Sequence, residues 1–155
     1  MKLSDACLAL IKASEGFRSE VYLDCAGVKT CGYGHALKTG ESFPDGVTEV
    51  TATLLLLKDV QTAEDAVSRM VKVTLTQGQY DALVDFVYNL GEGRLASSTL
   101  LKLLNEGKYD QAGQQLLLWS MAGGVRQAGL VRRREAELVL WKSSPVDSAP
   151  SEPAA

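Results

Sequence analysis

The sequence predicts an α+β domain made of one N-terminal helix, a small antiparallel sheet and a larger helical lobe. Leu-rich segments with short Gly-containing breaks indicate helices over most of the chain, whereas a stretch near the N-terminus is rich in glycine and β-branched residues. The length of 155 residues suits one domain with its own core. Apolar and charged fractions of 46% and 23% are typical of a globular protein.

The first helix is predicted between Ser4 and Gly16. Ser4 and Asp5 can cap its N-terminus, apolar residues follow at helical spacing, and Gly16 is a natural left-handed stop. This helix therefore presents Glu15 at its C-terminal end, where the chain enters the sheet.

The sheet is predicted between Phe17 and about Phe43. Val21-Tyr22 and the segment from Val28 to Tyr33 carry the β-branched and aromatic residues of strands. A turn that opens at Asp24 separates them, and further glycines break the chain after them. The pattern is that of a small hairpin sheet.

The helical lobe is predicted from Thr48 onward. Thr48 caps a long helix that runs to about Val71, and Thr76 with Gln79 has the spacing of a capping box. The helix after Thr76 ends at Gly91 and carries an apolar stripe that we interpret as core, namely Tyr80, Leu83, Val84, Val87 and Tyr88. Later helices are expected from Ser98 or Thr99 to Asn105, from about Tyr109 to Trp119, and from Val125 to Trp141.

A compositional change marks the end of the domain. The segment from Ser143 to Ala155 holds three of the four prolines and too little apolar surface to order itself, so we expect a folded domain over 1–142 and a flexible tail over 143–155. The tail contains Asp147 and Glu152 and no base, which leaves the domain nearly neutral. A neutral domain gives no reason to expect nucleic acid as a partner.

Cys7, Cys25 and Cys31 are an odd number of cysteines without the spacing of a zinc site, which indicates free thiols in a reducing compartment. The first residues contain no long apolar run, since Lys12 interrupts the first candidate segment. We therefore expect no export signal and no insertion into a membrane.

Three residues are candidates for catalysis, although each has an ordinary alternative. Glu15 lies at the negative end of a helix dipole, which favours the protonated form that a general acid needs, but a solvated carboxylate is the more common finding at a helix end. Asp24 is a common turn residue, and Thr30 is a common strand residue.

Together these residues match a known pattern. Eight residues separate Glu15 from Asp24 and five separate Asp24 from Thr30, which resembles the catalytic signature of the phage-type lysozymes, glycoside hydrolase family 24. The resemblance extends over roughly residues 5–142 and includes the segments Thr30 to His35, Gln79 to Gly91, Ser98 to Asn105 and Trp119 to Trp141.

The resemblance implies a lysozyme-like fold with a cleft between the sheet and the helical lobe. It also implies an endolysin with muramidase activity, which hydrolyses the β-1,4 bond between N-acetylmuramic acid and N-acetylglucosamine and so lyses the host cell wall. Glu15 would protonate the glycosidic oxygen, while Asp24 and Thr30 would hold the attacking water on the opposite face, with inversion. His35 is expected to be structural, and one of Arg132, Arg133 and Arg134 is expected to pair with Glu15.

The expected partner is the glycan strand of peptidoglycan, bound by a monomer that needs no cofactor and no metal. The enzyme would fold in the cytoplasm of the host bacterium and reach the wall after a holin has permeabilised the membrane. Two alternatives remain: a lytic transglycosylase, and an inactive wall-binding module. Asp24 and Thr30 argue against the transglycosylase, which needs no attacking water, and the complete set of three residues argues against the inactive module.

Overall fold

The computed structural model describes residues 1–143, so the predicted tail lies outside the described residues except for Ser143. One helix, a three-stranded sheet and a helical lobe follow one another along the chain, as predicted. The elements are α1 (Asp5–Glu15), β1 (Arg18–Leu23), β2 (Lys29–Gly32), β3 (His35–Ala36), α2 (Glu49–Met70), α3 (Gln77–Leu90), α4 (Glu92–Ala96), α5 (Thr99–Asn105), α6 (Tyr109–Gln115), a 3₁₀ turn (Leu116–Leu118), β4 (Met121–Ala122), β5 (Val125–Arg126) and α7 (Ala128–Lys142).

Helix starts fall where the capping residues predict them. The Ser4 hydroxyl accepts a hydrogen bond from the Cys7 N–H and begins α1, and Thr48 begins α2 in the same way. Thr76 and Gln79 form a reciprocal capping box at the start of α3. These side chains satisfy backbone donors that a helix leaves free, and they fix each helix start locally.

The three-stranded sheet is antiparallel, with β2 between β1 and β3. Thr30 in β2 lies opposite Tyr22 of β1 and Ala36 of β3. The sheet rests on α2, and a Cβ atom on Gly32 would lie 3.0 Å from the Ala52 side chain. Glycine at this position lets β2 approach the helix closely.

The core lies between α2, α3 and α7, with α3 at its centre. The stripe predicted on α3 is buried at Tyr80, Leu83, Val84 and Val87, whereas Tyr88 is half-buried. Among residues 1–143, no helix is long and apolar enough to span a bilayer.

Two predictions about the helical lobe are wrong. The last helix begins at Ala128 rather than Val125, because Val125–Arg126 pairs with Met121–Ala122 in a small hairpin. Gly123 and Gly124 both have positive φ, as a two-residue hairpin turn requires. The short helix α4 was also missed: after Gly91 the chain does not stay irregular but turns into another helix.

Candidate active site

Glu15 is the last residue of α1, at the junction of the sheet and the helical lobe. The helix packs on α3 and α7, which places its C-terminal end against α7. The Glu15 side chain is 25% exposed, although the residue as a whole is open to solvent at the helix end. The carboxyl group is therefore partly buried but still accessible to a ligand from solvent.

An arginine on α7 holds the Glu15 carboxylate. Arg133 Nη1 donates to Glu15 Oε1 over 2.9 Å, while Arg133 Nε and Nη2 donate to the Asp85 carboxylate of α3 at 3.0 and 2.8 Å. The Arg133 side chain is 7% exposed and Asp85 is fully buried. Because a bidentate guanidinium–carboxylate pair has a defined geometry, Arg133 reaches Glu15 from an anchored position.

The structure thus selects one of the three successive arginines as the partner of Glu15. Arg132 is exposed, Arg133 binds Glu15, and Arg134 is fully buried. Successive residues on an α-helix point about 100° apart, so only one of the three can face α1.

Arg134 lies in a second buried charged pair beside the first. Its Nη2 is 2.9 Å from Glu137 Oε1, but the two groups are not aligned for a hydrogen bond. Arg134 Nη2 instead donates to Asn89 Oδ1 over 2.6 Å. Burial, and next the neighbouring Asp85 carboxylate, raise the pKa of Glu137 well above its ordinary value.

The turn between β2 and β3 forms the opposite wall around Glu15. A Cβ atom on Gly34 would lie 3.1 Å from Glu15 Oε2, and the φ angle of Gly34 is 77°. Both facts favour glycine. The backbone of this turn therefore lies directly beside the carboxyl group.

Asp24 lies in the turn between β1 and β2. Its Oδ1 accepts hydrogen bonds from the backbone N–H groups of Ala26 and Val28, at 2.8 and 2.9 Å. The Asp24 side chain shapes its own turn, as Asp commonly does. Two bonds to one oxygen fix the direction in which the other, Oδ2, points.

Thr30 is buried in the central strand, and its hydroxyl donates to the Val28 carbonyl over 2.9 Å. Asp24 and Gly34 lie in the turns at the two ends of β2, with Thr30 between them. The three predicted residues are therefore arranged along one strand: Glu15 beside its second turn, Asp24 in its first, and Thr30 within it.

His35 is buried and hydrogen-bonded at both ring nitrogens. Nδ1 lies 2.7 Å from Asp59 on α2, and Nε2 lies 3.0 Å from Glu41 in the loop after β3. The ring links the sheet to α2 and has no free nitrogen to act as a base. This is the structural role that the sequence predicts.

A cavity of about 810 Å³ opens beside Glu15, lined by residues of α1, α3, α7 and the β4–β5 region that include Leu10, Ser14, Glu15, Asn89, Gln127 and Arg132. Another cavity, of about 660 Å³, lies at the edge of the sheet near Glu20 and Phe43 and contains none of the predicted catalytic residues. Within residues 1–143, no group of three or more His, Cys, Asp or Glu side chains is placed to hold a metal ion.

Comparison with known proteins decides the family, because the phage lysozyme family profile matches residues 12–137. The chain belongs to the phage lysozyme family. It is 43% identical to the endolysin of Bacillus phage B103 over 144 residues, which cover 91% of this chain and 54% of that protein. It is 41% identical to the endolysin of Salmonella phage P22 over 138 residues, which cover 86% of this chain and 94% of the relative.

A solved structure has the same fold. The muramidase domain of SpmX from Asticaccaulis excentricus superposes with a TM-score of 0.84 at 35% identity, over 92% of this chain and 99% of that domain. Some relatives are named SAR-endolysin, for example that of bacteriophage PS119, which is 40% identical over 131 residues covering 82% of this chain and 77% of the relative. The predicted lysozyme-like fold is confirmed, as is the predicted class, a peptidoglycan-hydrolysing glycoside hydrolase of lysozyme type.

Sequence reasoning missed several residues that lie around Glu15. Asp85 and Asn89 lie on α3, and Tyr88 was interpreted only as core. The Tyr88 hydroxyl donates to the Tyr33 carbonyl over 3.3 Å, and burial and then the charge of Glu15 raise its pKa. Asp85 was detectable, because a carboxylate within a buried apolar stretch needs a buried partner.

Proposed function

We propose that this chain hydrolyses the β-1,4 bond between N-acetylmuramic acid and N-acetylglucosamine in peptidoglycan, with Glu15 as the general acid. The supporting observation is the placement of Glu15 between Arg133 and the turn at Gly34. Because Oε1 is bound to Arg133, Oε2 on the sheet side is the oxygen that carries the proton. A sugar lying along the turn would meet that proton.

In this proposal Asp24 and Thr30 hold the attacking water. Asp24 Oδ2 accepts a proton from the water, since Oδ1 is occupied by two backbone N–H groups. The Thr30 hydroxyl donates to Val28, so its oxygen accepts from the water.

The proposed reaction is a single displacement. The Glu15 proton passes to the glycosidic oxygen, the bond from that oxygen to the anomeric carbon breaks, and the water oxygen bonds to the same carbon from the opposite face. The configuration inverts, which requires two carboxyl groups far enough apart to admit a water. Glu15 lies beside Gly34 in the turn after β2, whereas Asp24 lies in the turn before β2, and this separation supports such a gap. Arg133 stabilises the Glu15 carboxylate that forms.

The test is Glu15→Gln, assayed by the turbidity of permeabilised Gram-negative cells. The amide keeps an oxygen for Arg133 but has no proton of suitable acidity, so we expect the rate to fall by about 10²–10⁴-fold or more with little change in melting temperature. Glu135→Gln, an exposed substitution on α7, is the matched control and should lyse cells normally. A Glu15→Gln variant that keeps most of its rate would remove Glu15 from the proposed role.

We further propose that the enzyme is a monomer that folds in the host cytoplasm and is released to the wall by a holin. The three free cysteines, two of them buried, suit a reducing compartment. Expression alone should then leave host cells intact, and chloroform should cause prompt lysis. Spontaneous lysis, with active enzyme in the periplasm of untreated cells, would contradict holin dependence, and a dimer in size-exclusion chromatography would contradict the monomer.

A further inference from the structure

The buried Arg134 guanidinium makes one hydrogen bond within residues 1–143, the 2.6 Å bond from Nη2 to Asn89 Oδ1. Its Nε and Nη1 are buried without a hydrogen-bond partner there. Removing a charged group from water so completely is costly. Beside its ion pair with Glu137 and its position over the Phe86 ring, the guanidinium has this one hydrogen bond, to Asn89, and the role of that bond needs explanation.

That bond settles how the Asn89 amide is turned. A guanidinium has donors and no acceptor, so the atom facing Arg134 must be the amide oxygen. The amide nitrogen, Nδ2, then points away from Arg134 with both of its hydrogens. A charge-assisted bond from a buried group holds this orientation more firmly than a bond to water would.

Asn89 Nδ2 is available to a ligand beside the acid. Asn89 is half-buried, lies in the last turn of α3 and lines the same cavity as Glu15. Within the described part of the chain, Nδ2 has no hydrogen-bond partner, and it is not among the buried unpaired atoms. The two N–H groups of Asn89 Nδ2 can therefore donate to a ligand in the cavity, while Asn89 Oδ1 already accepts from Arg134.

We propose that Asn89 binds the glycan by donating from Nδ2 to the carbonyl oxygen of an acetamido group, and that Arg134 is the positioning residue that turns the amide for this contact. The inference rests on the proposed function of the site. Both sugars of the glycan carry acetamido groups, whose carbonyl oxygen accepts only. A hydroxyl, which donates and accepts, could use either atom of a freely turning amide, whereas a fixed donor selects a carbonyl.

The test is the steady-state kinetics of Asn89→Ala and Asn89→Asp on solubilised peptidoglycan. Both variants lose the Nδ2 donors, while Asn89→Asp keeps an oxygen for Arg134 and so guards against a folding defect. We expect KM to rise about three- to tenfold, as for loss of one hydrogen bond. In Asn89→Ala, which adds no charge beside Glu15, kcat should stay near the wild-type value, because the contact is made equally in the ground and transition states.

Arg134→Lys tests the positioning role. Lysine keeps the charge and can donate to Asn89, but it does not fix the orientation of the Asn89 amide. KM should therefore rise by a smaller factor than in Asn89→Ala. The double variant with Asn89→Ala should show no larger KM than Asn89→Ala alone, because Arg134 acts through Asn89. Additive effects on KM would overturn the positioning role.

The matched control is Asn105→Ala, at an amide that does not line the cavity beside Glu15 and that accepts from the Lys72 N–H and donates to the Met70 carbonyl. It should lower the melting temperature without changing KM. On de-N-acetylated peptidoglycan, the KM ratio between Asn89→Ala and wild type should fall towards one.

A wild-type KM in both Asn89 variants would overturn the inference, as would an equal KM ratio on the two substrates. If Glu15→Gln abolishes activity while the Asn89 variants behave as wild type, the inference alone fails and the proposed function stands. Retained activity in Glu15→Gln would instead count against the proposed function.

Discussion

The two sides of the candidate site are held by different kinds of bonding. On the helical side, Glu15 is bound by Arg133, which is itself bound to the fully buried Asp85. On the sheet side, Asp24 is held by two backbone N–H groups of its own exposed turn. The comparison teaches that the acid depends on the core of the lobe, whereas the water-holding side depends on a local turn. Changes to the buried pair of Arg133 and Asp85 should therefore affect stability and activity together, whereas changes to Asp24 should affect activity alone.

The largest effect on activity that separates the two sides is expected from Asp24→Asn. The amide oxygen still accepts the two backbone bonds of the turn, but the amide does not take a proton from water, so the rate should fall by about 10²–10⁴-fold. The free energy of unfolding should change by less than about 0.5 kcal/mol. Asp45→Asn, in another exposed turn of the sheet region, is the control. Normal lysis by Asp24→Asn would favour a transglycosylase.

A large effect on stability is expected from Arg133→Met on the helical side. Removing the guanidinium leaves Asp85 as an unpaired buried charge, which should cost about 3–5 kcal/mol in urea unfolding, together with most of the activity. Arg132→Met, one residue away and exposed, should cost little. Adding Asp85→Asn to Arg133→Met should recover part of the loss. If Arg133→Met is as stable as Arg132→Met, the buried pair does not hold this side together.

An intermediate effect is expected where the two sides meet, at Gly34. Gly34→Ala and Gly107→Ala place a side chain at nearly the same φ, 77° and 79°, so each should cost about 1–2 kcal/mol in stability. Only the Cβ at Gly34 meets another group, Glu15 Oε2, whereas nothing lies within 4 Å at Gly107. Activity should therefore fall about tenfold or more in Gly34→Ala and remain in Gly107→Ala. Equal activity in the two variants would show that the turn does not constrain the acid.

The smallest effect concerns His35, which joins the sheet to α2. Burial lowers the pKa of His35, but hydrogen bonds to Asp59 and Glu41 raise it by more, so the net pKa lies above its ordinary value. Because the folded pKa exceeds the unfolded one, this stabilisation is complete below about pH 6.5 and is lost as pH rises through the folded pKa. The difference in unfolding free energy between wild type and His35→Gln should therefore become smaller as the pH rises through the folded pKa of His35. A difference that stays constant from about pH 6 to 9 would contradict this assignment.

The elements that sequence predicted best are those whose signals are local. Ser4, Thr48 and the Thr76–Gln79 pair mark helix starts because a cap forms with the next turn of its own helix. The β4–β5 hairpin was missed because strands of two residues have no measurable periodicity.

The residues of the candidate site also fall into those that local sequence signals predict and those that they do not. Glu15, Asp24 and Thr30 could be nominated from their spacing, since they follow one another along a short stretch of chain. The choice of Arg133 over its neighbours depends on the rotation of α7 against α1, and the orientation of Asn89 depends on Arg134 of another helix. Such contacts between distant segments leave no pattern in a single sequence.

The central claim is that Glu15 protonates the glycosidic oxygen while Asp24 and Thr30 hold the attacking water. Its most direct test is mass spectrometry of peptidoglycan digested in ¹⁸O-labelled water. Hydrolysis breaks the bond between the anomeric carbon and the bridging oxygen and adds a water oxygen to that carbon. We predict N-acetylmuramic acid reducing ends that carry one ¹⁸O atom. Anhydro-muramic ends without label would contradict the account, because the sugar would then have closed on itself with no water held by Asp24 and Thr30.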